Sequence, residues 1–210
     1  MQPTAAQPRP PARPLSKIAA AGEIHPSRLA PFVPSGYDDF LMRLSATPLF
    51  SEREIRERVV ELGAQIGRDA AGQPMLALCV LKAAAIFYAD LVRAIPGDVR
   101  LGFIESKRRD VESGAVEIVY QPQMALSGER VLLVDGVVDT GITLEYLIRE
   151  LQRLGAAEVR VAALISKAAG RRVAVPVDYI GFNCPDRFVV GYGMDYDEKY
   201  RNLPNITFVE

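Results

Sequence analysis

Two acids, two hydroxyls and a glycine follow a hydrophobic run in VLLVDGVVDTGITL (131–144): Asp135, Asp139, Thr140, Gly141 and Thr143. The run reads as a strand that delivers Asp135 to its carboxyl end. The stretch Asp139-Thr140-Gly141-Ile142-Thr143 then reads as a loop entering a helix. Backbone N–H groups at a helix start, two hydroxyls and a glycine that permits close approach can hold a phosphate, and the helix dipole adds to the attraction. The carboxylates stand just upstream, where a sugar attached to that phosphate would lie. The chemistry this implies is that of nucleotides or sugar phosphates.

Other phosphate and catalytic patterns are excluded. No GxxxxGK[ST] is present, and no GxGxxG opens a helix. Asp135 and Asp139 stand four apart, not in the Asp-x-Asp of a phosphohydrolase. Cys79 and Cys184 lie far apart without metal spacing and read as reduced, structural thiols, and the single histidine, His25, lies in an amino-terminal stretch expected to be a tail. Acid–base work falls to carboxylates, lysines or groups of the substrate.

The elements that must position these residues alternate. Ser51 and Glu54 form a capping-box pattern, and Ile55, Val59, Leu62 and Ile66 follow at helical spacing, so a helix is expected from about 52 to 69. MLALCVLK (75–82) reads as a strand buried on both faces. AAAIFYADLVRAI (83–95) reads as a helix packed through Ile86, Phe87, Leu91 and Ile95, stopped by Pro96-Gly97-Asp98. A strand over 99–106, a loop over 107–114, a hairpin arm over 116–121 and a strand over 130–135 follow. The helix after the phosphate loop runs to about Leu154 and is closed by Gly155. Further strands are expected over 159–166, 177–182 and 187–195. Such alternation points to an α/β fold with a largely parallel, twisted sheet flanked by helices.

Residues 1–36 are rich in Pro, Ala and Arg and read as a disordered or surface-draped arm, leaving 37–210 as the domain. The chain of 210 residues carries a net charge of −1, which gives no reason to expect nucleic-acid or membrane binding. No apolar stretch is long enough to span a bilayer, and a cytoplasmic location is expected.

Strand, Asp135, two apolar residues after Gly136, then Asp-Thr-Gly-x-Thr and a helix resemble the 5-phosphoribosyl-1-pyrophosphate (PRPP) motif of type I phosphoribosyltransferases. The carboxyl-terminal part narrows this. Lys167 ends VRVAALISK, and VDYIGFNCPDRFVVGYGMDYDEKYRNLP follows. Together they resemble the hypoxanthine-guanine phosphoribosyltransferase family over roughly 48–210. The resemblance implies the type I phosphoribosyltransferase fold, with a small hood formed by the terminal segments and a mobile hairpin lid. It implies transfer of phosphoribosyl from PRPP to N9 of a 6-oxopurine with Mg2+, and a homodimer or homotetramer.

The implied roles are specific. Asp139 would contact purine N7 and take or share its proton, and Asp135 would bond the ribose hydroxyls. Thr140, Gly141, Ile142 and Thr143 would hold the 5′-phosphate. Lys167 would donate to the purine O6, disfavouring adenine. Phe188 would stack on the base, and the Val189 backbone would bond its edge. Asp195 and Asp135 would serve magnesium, while Lys82, Ala83 and Arg201 would face pyrophosphate.

Three departures lie on the PRPP side. Gly136 replaces a second acid; Leu81-Lys82-Ala83-Ala84 replaces a loop with two glycines; and the lid reads Glu105-Ser106-Lys107-Arg108-Arg109-Asp110, without the family's Ser-Tyr. Alanines force the pyrophosphate loop either to use ordinary backbone angles or to give up contact with the ligand. Two readings follow: an active enzyme, or a catalytically weakened homologue that survives as a purine nucleotide-binding or regulatory module.

Overall fold

The computed structural model describes residues 44–108, 116–120 and 125–209, all within one unit of the chain, Met42–Glu210. The expected 1–36 arm, the expected start near Tyr37, Arg109 and Asp110 lie outside the described residues, as do the side chains of Lys107 and Arg108.

Helix α1 (Glu52–Ala70) starts where the sequence places it. Ser51 accepts from the Glu54 N–H at 3.3 Å, and the Glu54 carboxylate accepts from the Ser51 N–H at 2.8 Å. Its buried stripe is Ile55, Val59, Leu62 and Ile66. Each such side chain contributes about 1.5–3 kcal/mol relative to exposure. Strand β1 (Met75–Leu81) follows, then helix α2 (Ala85–Ala94). Phe87 and Leu91 of α2 are buried, as expected, but Ile86 is 37 % exposed. A helix advances about 100° per residue, so Ile86 leaves the Phe87–Leu91 face. Tyr88 is buried instead, its hydroxyl donating to the Ala77 carbonyl at 3.1 Å.

Strand β2 (Val99–Arg108) continues two residues into the stretch expected to be loop. Its antiparallel neighbour, β3 (Val116–Tyr120), extends the pairing beyond a register shift at Glu105/Ser106. Strand β4 (Arg130–Val138) also outruns its expected end, because parallel pairing with β5 (Glu158–Ser166) continues to Val138. Helix α3 (Ile142–Arg153) lies between them, and Gly155 closes it at φ 95°. Strand β6 (Tyr179–Asn183) starts two residues late, since the Asp178 carboxylate accepts from the Val161 N–H at 2.7 Å where a ladder carbonyl would.

The sheet order is β3-β2-β1-β4-β5-β6, parallel except for β3. Alternate residues of β1 feed two cores. Ala77 and Cys79 join the α1 and α2 side, while Leu76, Leu78 and Val80 join Leu144, Leu147 and Leu151 of α3. The order reverses between β1 and β4, the place where an open α/β sheet leaves a crevice beyond its strand ends.

The strand expected over 187–195 is a correction. Only β7 (Val189–Val190) is extended, paired antiparallel with β8 (Thr207–Phe208). Gly191, Tyr192 and Gly193 have φ of 99°, 48° and 99°, which turn the chain out of any strand.

Candidate active site

The carboxyl ends of β1, β4 and β5 carry the candidate residues into the crevice. Asp135 is half-buried there, and burial pushes its carboxyl up to about 6 against the opposing hydrogen bonds of the Gly136 and Val137 N–H groups. Asp135, Asp139, Thr140, Gly141 and Thr143 line one small cavity. Gly141 has φ 85° and forms the amino-terminal cap of α3 without a side-chain cap bond, which places the start of the helix at this cavity. Four predicted phosphate-loop residues, Asp139, Thr140, Gly141 and Thr143, are thus brought together, while Ile142 opens the helix.

A segment that the sequence reading passed over seals this loop from outside. The N–H groups of Arg172 and Val173 both donate to the Thr140 carbonyl, at 2.9 and 3.0 Å. A Cβ on Gly141 would meet the Val173 carbonyl oxygen at 2.7 Å. Next to it, a Cβ on Gly170 would lie 2.2 Å from the Asp139 Oδ1 atom. Arg171 donates to the Ser166 hydroxyl at 3.1 Å, bracing the end of β5. The only sequence signal for this role is a glycine three residues after the lysine.

Lys167 lies directly after β5, and its N–H donates to the Val138 carbonyl at 3.0 Å, so it sits one peptide across from Asp139. The residue is 7 % exposed, and its ammonium makes no ion pair among the described residues. A buried cation without a carboxylate partner is a donor available to a polar ligand. Cys184 lies close by: burial raises its thiol, and the charges of Lys167 and Arg187 oppose the rise. Both cysteines are free and buried.

Phe188 is 52 % exposed, its ring 5.5 Å from that of Tyr196 in an edge-on arrangement. An exposed aromatic ring is a platform for a flat heterocycle. The Val209 N–H donates to the Phe188 carbonyl, and Val189 faces Phe208, which makes Val189–Phe208 a non-hydrogen-bonded pair. The N–H and carbonyl of Val189 therefore point away from β8.

The Leu81–Lys82 peptide is cis. None of Lys82, Ala83 and Ala84 has positive φ, so the alanines stand at no position that φ reserves for glycine. Ala83 is wedged between two glycines: a Cβ on Gly136 would meet its backbone at 3.0 Å, and one on Gly193 would meet its carbonyl oxygen at 2.4 Å. Lys82 pairs with Glu198 at 3.1 Å. Arg201 pairs with Asp195 at 2.8 Å and with Glu198 at 3.2 Å, and its Nε is buried without a partner among the described residues. Lys82 first, then Arg201, hold the Glu198 carboxyl below its usual range. Glu198 was missed by sequence reasoning, although it lies inside the same DYDEKYR stretch as Asp195 and Arg201.

The available metal donors are carboxylate oxygens. Asp195 already accepts from Arg201 and from the Glu198 N–H at 2.9 Å, and among the described residues no group of three or more His, Cys, Asp or Glu is gathered. Such a sparse oxygen set fits a hard cation that keeps its waters and takes further ligands from phosphate, as magnesium does, and does not fit zinc.

Comparison with known proteins agrees with this geometry. Residues 46–197 match the phosphoribosyl transferase domain. The hypoxanthine-guanine phosphoribosyltransferase of Bacillus subtilis is 37 % identical over 161 residues, covering 75 % of this chain and 89 % of the relative. That of Mycobacterium avium is 41 % identical over 167 residues, covering 75 % and 82 %. The crystal structure of a hypoxanthine-guanine phosphoribosyltransferase from Bacillus anthracis superposes with a TM-score of 0.76 at 35 % identity, covering 78 % of this chain and 98 % of that one. With two-ended coverage at these identities, and a crevice bearing the motifs in register, the chain belongs to the hypoxanthine-guanine phosphoribosyltransferase family.

Proposed function

We propose that this chain transfers the 5-phosphoribosyl group of PRPP to N9 of a 6-oxopurine, hypoxanthine and also guanine, in purine salvage. The observation that carries the reading is the juxtaposition of Asp139 and Lys167. The hydrogen bond from the Lys167 N–H to the Val138 carbonyl sets the backbone of the two residues at the ends of adjacent strands, Asp139 just after β4 and the buried residue Lys167 just after β5. An acid and a cation on neighbouring strand ends suit one purine, an imidazole N–H toward Asp139 and a carbonyl toward Lys167.

In the forward reaction the bond between C1′ and the pyrophosphate oxygen breaks while the N9 lone pair forms the bond to C1′. The proton on N7 passes to Asp139. Lys167 donates to O6, Phe188 stacks on the ring and the Val189 backbone meets its edge. Asp135 holds the ribose hydroxyls, and the 140–143 loop holds the 5′-phosphate at the start of α3. Lys82 and Arg201, with the Ala83 backbone, face the leaving pyrophosphate. Asp195 and Asp135 would hold magnesium, which supplies charge neutralisation of the pyrophosphate.

The family's alternative, a nucleotide-binding module without turnover, is not favoured. The departures at Gly136 and Ala83-Ala84 leave the proton acceptor, the phosphate loop and Lys167 in place. A spectrophotometric assay with PRPP, magnesium and hypoxanthine, guanine, xanthine or adenine decides. A 6-oxopurine monophosphate as product supports the reading. No product from any base, in protein that still binds inosine monophosphate, refutes it. No helix among the described residues is long and apolar enough to cross a membrane. A cytoplasmic location and a homodimer or homotetramer belong to the same proposal, the latter to be measured by light scattering.

A further inference from the structure

Lys82 and Arg201 come from distant parts of the chain, one from the loop after β1 and one from the loop between β7 and β8. A single carboxylate joins them. Oε1 of Glu198 lies 3.1 Å from the Lys82 ammonium, and Oε2 lies 3.2 Å from Nη2 of Arg201. Each oxygen serves one cation, as two oxygens of a phosphate group would.

Arg201 does not need this second anion for charge balance, because Asp195 already meets its Nη1 at 2.8 Å. The Glu198 backbone is held, its N–H donating to the Asp195 carboxylate at 2.9 Å, with φ at 60°. Its side chain, in contrast, is 65 % exposed and paired with a Lys82 side chain that is 57 % exposed. Exposed ion pairs of this kind are worth little, so the carboxylate can swing into water at small cost.

We propose that Glu198 is a place-holding anion of the pyrophosphate subsite, displaced by the diphosphate of the incoming substrate and returned to the two cations when pyrophosphate leaves. The inference rests on the reading that Lys82 and Arg201 face pyrophosphate. The negative charge of Glu198 stays within a few ångströms of the subsite even when displaced, and it opposes a polyanion. Its removal strengthens pyrophosphate binding by about tenfold at low ionic strength, less as salt screens the site.

The test is calorimetric titration of the full chain, the Glu198→Gln variant and the Glu198→Ala variant with inorganic pyrophosphate and magnesium. Inosine monophosphate serves as the control ligand. Both variants are expected to bind pyrophosphate about tenfold more tightly, with the gain shrinking at high salt and the monophosphate affinity changed less than about twofold. Product inhibition by pyrophosphate, measured against PRPP, is expected to strengthen in parallel. Two neutral side chains of different length guard against a folding defect in either one, and the monophosphate control reports that the fold is intact. Unchanged pyrophosphate affinity overturns the inference and leaves the site assignment standing. Weakened affinity overturns it as well, and makes Glu198 an aligner of the two cations. If the parent chain binds the monophosphate but neither it nor the variants bind pyrophosphate, the assignment of Lys82 and Arg201 fails, and the inference with it.

Discussion

Gly170→Ala separates catalysis from stability. The added Cβ would stand 2.2 Å from Oδ1 and 3.4 Å from Cγ of Asp139. Non-bonded carbon and oxygen atoms need about 3.2 Å or more, so the carboxylate must retreat by about 1 Å, which a rotation of its short side chain provides. Gly170 is absent from the glycines with positive φ, so alanine meets no backbone strain there. Its effect on stability is therefore near neutral, or a gain of up to about 1 kcal/mol through the unfolded chain. A proton acceptor misplaced by about 1 Å costs on the order of 100-fold in rate, or about 2.7 kcal/mol of barrier. The assay is the initial rate with hypoxanthine and saturating PRPP, beside a thermal melt and the affinity for inosine monophosphate. The expected outcome is kcat down by about 100-fold with Tm unchanged or slightly raised. A kcat within threefold of the parent would show that the position of Asp139 is not what limits turnover. A loss of kcat that tracks a fall in Tm would show that Gly170 matters only to the fold.

Further tests address other parts of the site. Asp139→Asn should lower kcat far more than it lowers affinity for the product nucleotide, and equal losses in the two would count against a proton acceptor at this position. Lys167→Ala removes a charge-assisted hydrogen bond worth about 1.5–3 kcal/mol and should erase most of the preference for hypoxanthine over adenine in kcat/KM; a retained preference would reassign O6 recognition. Gly141→Ala forces a Cβ onto the Val173 carbonyl at 2.7 Å and a residue into φ 85°, so both Tm and PRPP affinity should fall; unchanged PRPP affinity would remove the 140–143 loop from the phosphate site. Chelation should abolish turnover, and magnesium should restore it where zinc does not; turnover unaffected by chelator would remove the metal from the proposal.

The parts legible in the sequence are those in which local chemistry and local structure coincide. A capping box, an apolar strand and an Asp-Thr-Gly-x-Thr loop each name their own conformation, so α1, β1 and the β4–α3 turn emerge with small errors at their ends. The strand ends moved because pairing partners set them: β4 runs on to Val138 as long as β5 stays beside it. The false strand over 187–195 has the opposite cause. Its apolar pattern is real, but it serves burial of Val189, Val190, Tyr192 and Met194 in a tight turn whose glycines, at 191 and 193, mark the break. Contacts between distant segments carried no local signature at all. That holds for the 170–173 segment on the Thr140 loop and for Glu198 between Lys82 and Arg201.

The departures at Ala83 and Gly136 show the same limit from another side. In sequence they read as two independent losses, a glycine from the pyrophosphate loop and an acid from the ribose site, 53 positions apart by number. In space they are one contact. The position that lacks a side chain is the one whose Cβ would press on the Ala83 backbone at 3.0 Å and on its methyl at 3.2 Å. Gly136 thereby leaves room for the Ala83 backbone and methyl, while the Ala83 carbonyl rests against Gly193 on the other side and neither alanine has positive φ. An acid restored at 136 would crowd the loop that must receive pyrophosphate, and glycine at 83 would relieve only the methyl contact, because the nearest atoms belong to the Ala83 backbone. The two departures meet at one contact, which is why they do not count as separate arguments that the site has decayed.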